Sequence, residues 1–102
     1  DWDAIVLLYG ALSELTGSPV ARLNAAAAIA RRDGPEQGLE AAEALAHAFP
    51  VLNDYQPYWA LKADLCARLG RSKAARVAYD EAIAREDDLA VRGFLEQQRA
   101  RL

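Results

Sequence analysis

Apolar residues recur at three- and four-residue spacing along almost the whole chain, and Gly or Pro breaks the pattern at short intervals. That rhythm belongs to α-helices separated by tight turns. Ile5, Leu8, Leu12 and Leu15 give a first helix over about residues 3–16 a single apolar face. Gly17 suits its left-handed end, Ser18 the next N-cap and Pro19 the first helical position. The second helix runs to about Arg32, where Asp33-Gly34-Pro35 signals a turn and a restart. A third helix carries Leu39, Ala42 and Leu45 inward and fades near Phe49-Pro50, before a loop through Asn53. Trp59, Ala63, Leu65 and Leu69 mark a fourth helix, stopped by Gly70. Ser72 reads as the cap of a fifth, with Ala75, Ala78, Tyr79 and Ala82 on one side. Asp87-Asp88 caps a last helix whose apolar stripe is Leu89, Phe94 and Leu95. No segment alternates with period two, so no strand is expected. The expectation is one all-α domain over 1–102: a first helix, hairpins over about 19–47 and 57–85, and a capping helix over about 88–101. Short turns make sequential helices antiparallel neighbours.

Composition narrows the function. The hydrophobic share is 53%, much of it alanine, which favours helices that approach closely. A net charge of -3, with arginines interleaved among acids, lacks the clustered basic footprint of a nucleic-acid surface. The lone Cys66 excludes an internal disulfide and fits a reducing cytoplasm. The longest apolar run, around Ala25 to Ala30, is too short to span a membrane. A chain opening at Asp1 without Met reads as an excised fragment.

Catalytic and cofactor sites are not expected. His47 and Cys66 are the only His and Cys, short of the three or four ligands a metal site needs. His47 reads as a surface residue at a helix end and Cys66 as a small core hydrophobe. Ser13, Ser18 and Ser72 have no accompanying His–Asp pair. Gly34 and Gly38 lack the Lys and Ser/Thr of a phosphate loop. The chain is therefore not expected to be an enzyme.

The stretch Trp59 to Asp87 resembles a tetratricopeptide repeat. Trp59 stands at that family's large position, Ala63 at its small position and Gly70 at its turn. Ala75, Tyr79 and Ala82 follow in register, while Asp87 replaces the closing proline. A degenerate copy lies 36 residues upstream: Leu23, Ala27 and Gly34 match, but Leu39 and Glu43 replace the usual alanine and aromatic. The resemblance implies an α–α superhelix flanked by capping helices.

A second resemblance covers the whole chain. It rests on Asp1-Trp2-Asp3 with Ile5 and Leu8-Tyr9; Ser18-Pro19-Val20 with Leu23-Asn24; and Asp33-Gly34-Pro35 with Gly38-Leu39. Tyr58 to Arg71 and Arg92-Gly93-Phe94-Leu95 complete it. Together they resemble the C-terminal tetratricopeptide-like extension of extracytoplasmic-function (ECF) RNA polymerase sigma factors. The resemblance implies a bacterial, cytoplasmic transcription-initiation protein whose promoter-reading segments lie upstream of Asp1. It implies partners that are protein: upstream sigma regions of the same chain, RNA polymerase or a regulator. No direct nucleic-acid contact, membrane or cofactor is implied for this segment. The alternative is a free-standing tetratricopeptide-type adaptor, and the residues encoded before Asp1 separate the two.

Binding candidates follow from the hairpin geometry, in which the first helix of each pair lines the concave face. Asn24, Ala28, Arg31 and Arg32 are expected there, joined by Asp64 and Arg68. An amide among arginines suits a peptide carboxylate, because guanidinium offers a bidentate fork. Against that stands the plainer reading of solvated arginines and an Asn24 bonded to a turn. Trp2 and Tyr9 either cover the end of the stack or pack on a preceding domain, which would leave an aromatic patch on the isolated chain.

Overall fold

A computed structural model describes residues 1–102 as six α-helices and one 3-10 turn, with no strands. The chain divides into two compact units, Asp1–Leu52 and Asn53–Leu102.

In the first unit, α1 spans Trp2–Thr16, α2 Pro19–Asp33 and α3 Pro35–Ala48. Each boundary has a local cause. The Asp1 carboxylate accepts the Asp3 N–H at 3.0 Å, and Gly17 closes α1 at φ 65° with its N–H on the Ser13 carbonyl. Ser18 caps α2 through the Ala21 N–H at 3.4 Å, ahead of Pro19. Gly34, at φ 107°, ends α2 and begins α3 in a single residue. The segment after α3 is a 3-10 turn over Pro50–Asp54 rather than an open loop, and it buries Leu52. Leu23, Ala26, Ala28, Leu39, Ala42 and Ala46 complete the core. Ala28 is thus an interior residue, contrary to its expected place on a binding face: α2 packs against both α1 and α3, and little of its small-residue surface is left open.

In the second unit, α4 spans Gln56–Arg68, α5 Ser72–Ala84 and α6 Leu89–Ala100. Gly70, at φ 74°, lets the Arg71 N–H reach back to the Cys66 carbonyl at 2.9 Å, a Schellman-type close. Ser72 opens α5 but does not cap it; Arg71 stands at the cap position, and its side chain does not cap the helix. α4 and α5 meet through small residues, with Ala63, Ala75, Ala78 and Ala82 at most 1% exposed and Tyr58, Leu65 and Tyr79 filling the volume. Burying each large apolar side chain favours the fold by roughly 1.5–3 kcal/mol.

Two expected apolar stripes are corrected. On α6 only Leu95 is buried, while Leu89 and Phe94 are exposed. Phe94 sits next to Leu95 in sequence and therefore points about 100° away from it around the helix. On α1 the expected inward set fails too. Ile5 is half-buried, but Leu8, Leu12 and Leu15 face outward. The inward side carries Ile5, Val6, Tyr9 and Ser13 instead. α1 is apolar on both sides, so spacing alone did not identify the buried one.

Candidate protein-contact surface

The outward side of α1 is the most conspicuous surface of the chain. Ala4, Leu7, Leu8, Ala11, Leu12 and Leu15 are all exposed. At 3.6 residues per turn they fall on one arc of roughly 140°. Leu7 is 73% and Leu15 83% exposed, values that place most of each side chain in water. A soluble surface seldom keeps so many large apolar groups together without a partner. No helix is long and apolar enough to cross a membrane.

The start of α1 is held to the end of α2. Arg31 lies over the Trp2 ring, 5.5 Å from its centroid. Arg32 bridges from its Nη1 to Asp3 at 3.1 Å, and its Nε and Nη2 form a fork on Asp33 at 3.0 and 2.9 Å. That hydrogen-bonded fork raises the Arg32 pKa and holds the Asp33 carboxyl below its ordinary range. The bidentate geometry anticipated for an external carboxylate is therefore already engaged within the chain. Trp2, Arg31 and Arg32 come together as a structural clasp, with Trp2 still 42% exposed. Tyr9 is half-buried on the inner side of α1 and outside that clasp, and Asn24 is exposed on α2.

In the second unit, Arg68 Nε donates to Asp64 Oδ2 at 3.0 Å, one turn apart on α4. Such an exposed pair adds little stability, about 0.3–0.5 kcal/mol. Trp59 is half-buried rather than part of a closed core. Its indole N–H donates to the Asn53 carbonyl at 2.8 Å, and the Lys62 and Arg85 cations stand 5.4 and 5.5 Å from its ring. His47 is exposed and Cys66 buried. Nowhere do three or more His, Cys, Asp or Glu side chains gather as a metal cage would require.

Sequence reasoning missed Leu7 and Ala11. The signal was present in the Leu7-Leu8 pair, because adjacent helical residues diverge by about 100° and cannot both face a single-sided core.

No family model matches the chain, and no solved structure matches it. It is 40% identical over 98 residues to the uncharacterized protein R00370 of Rhizobium meliloti (strain 1021), an alignment that covers 96% of this chain and 22% of the relative. The chain thus spans about a fifth of the length of the curated relative it matches.

Proposed function

We propose that this chain is the C-terminal, tetratricopeptide-like regulatory domain of a bacterial ECF sigma factor. It modulates transcription initiation through protein contacts, and the outer face of α1 docks on another part of the same longer protein. The observation that carries this reading is the exposed leucine arc of α1, a surface built for burial. Three further features support it. A relative of similar sequence is several times longer than this chain. The helix pairs α2–α3 and α4–α5 each form a hairpin closed on a positive-φ glycine. The whole-chain motifs, from Asp1-Trp2-Asp3 to Gly93-Phe94-Leu95, follow the order of that family's extension.

In this reading the domain performs no chemistry. It acts as a removable or repositionable contact that biases how the promoter-reading regions engage polymerase. The cytoplasm is the compartment in which such a protein works, and the buried thiol of Cys66 is compatible with it.

The test is promoter-specific transcription by the full-length protein carrying Leu7→Glu and Leu15→Glu. Both side chains are solvent-facing here, so the domain keeps its fold while the docking face gains two charges. Output is expected to change several-fold in either direction. Wild-type output from a correctly folded double variant would sink the proposal.

A further inference from the structure

The three helices of the first unit line an open pocket of about 280 Å³, apart from the exposed leucine arc of α1. Ala25, Ile29 and Leu45 form apolar walls, and Ser13, Glu14 and Arg22 supply the polar groups. Its size falls just below the roughly 300 Å³ at which small-molecule sites begin, and so suits a small ligand.

Arg22 makes this more than a packing gap. Its Nε is buried without a hydrogen-bond partner. Phe49 lies against the guanidinium at 5.6 Å from the ring centroid and covers a face of the group, not the Nε–H in its plane. Arg31 and Arg32, the other arginines of this unit, are exposed, whereas Arg22 is half-buried and lines the pocket. An unpaired donor beside an apolar hollow is costly unless something satisfies it. Ser13 does not, because its hydroxyl donates to the Tyr9 carbonyl at 2.8 Å.

The geometry points to a binding site for a monocarboxylate on a short apolar stem. The carboxylate pairs with the Arg22 guanidinium in the planar manner that group favours. The stem lies along Ala25, Ile29 and Leu45. Glu14, exposed at the same pocket, selects against dianions such as phosphate by repulsion. The carboxylate has two possible sources, a free aliphatic acid or an acidic side chain of a polypeptide. This inference is independent of the sigma-factor reading.

The experiment is an NMR titration of the 102-residue chain, following the Arg22 Nε–H and the methyl groups of Ile29 and Leu45. One arm compares hexanoate with hexanol. The other compares a blocked tripeptide carrying one glutamate between leucines with its glutamine counterpart. Saturable shifts of all three probes are expected for an acid and not for its neutral partner, and the arm in which they occur identifies the source. Arg22→Gln should weaken binding about tenfold, as loss of a charge-assisted pair does. Ala41→Leu fills the pocket with Arg22 in place and should weaken it comparably, which keeps the test valid should Arg22→Gln disturb folding. Equal shifts by acid and neutral partner, or no shift from either acid, would overturn the assignment.

Discussion

Gly38 on α3 and Ala30 on α2 approach so closely that a methyl group on Gly38 would stand 2.3 Å from the Ala30 Cβ and 2.8 Å from its Cα. The helical φ of Gly38 is ordinary. Space rather than backbone conformation therefore fixes glycine here, and the hairpin of the first unit is set by this contact. Gly38→Ala should destabilise the unit by roughly 1–3 kcal/mol, the usual cost of overpacking a close contact. Urea unfolding measures it. Adding Ala30→Gly removes the colliding methyl and should restore part of the loss, but the Ala30 backbone limits the recovery. Wild-type stability of Gly38→Ala would show that the helices separate freely.

Asp88 holds the start of α6 through two bonds, from the N–H groups of Ala90 at 2.8 Å and Val91 at 3.2 Å. α6 buries only one large apolar side chain, Leu95, so it depends on its cap more than its neighbours do. Asp88→Ala is expected to cost about 1 kcal/mol. Hydrogen exchange should localise the effect to Leu89–Ala100, with α4 and α5 unchanged. Asp87→Ala, by contrast, removes no capping bond and should leave exchange in α6 as it was.

Helix number, boundaries and turns were legible in the sequence because each rests on local chemistry. Gly17, Gly34 and Gly70 sit at positive φ, Pro19 and Pro35 open helices, and Asp88 caps one. Tertiary contacts were less legible. The stripe Ile5, Leu8, Leu12, Leu15 obeys helical spacing as well as the set that is buried, since α1 is apolar around most of its circumference. Arg32 looked like a free fork because the sequence places Asp33 beside it without revealing that the turn at Gly34 aims the two side chains together. Arg22 gave no signal at all. The unpaired state of its Nε depends on three helices converging on one hollow.

Tyr79 offers a check on how tightly α4 and α5 are joined. Burial raises its phenol pKa, the negative charge of Asp64 adds to the rise, and Arg68 opposes it. The folded pKa therefore exceeds the unfolded value of about 10. The stability linked to this group is fully present below the unfolded pKa and is lost as pH rises through the folded pKa. Tyr79 should accordingly ionise above the ordinary tyrosine range in a phenolate-absorbance titration, with unfolding accompanying its ionisation. Asp64→Asn should bring its transition to lower pH, and Arg68→Ala should move it higher. A Tyr79 transition at or below the ordinary range would mean that the α4–α5 seam admits water.

The outer face of α1 as a docking surface is tested most directly by thiol labelling. Cys66 is 2% exposed and silent while the fold holds, so a single introduced cysteine reports alone. Leu15→Cys places a thiol at the most exposed leucine of the arc. In the isolated 102-residue domain a maleimide should label it quickly. In a longer protein carrying the proposed upstream regions, with the domain equally folded, labelling should slow at least about tenfold, as expected when a side chain is covered by a stable intramolecular contact. Equal labelling rates in the two settings would contradict the proposed docking, for the leucine arc would then remain open to water beside the proposed upstream regions.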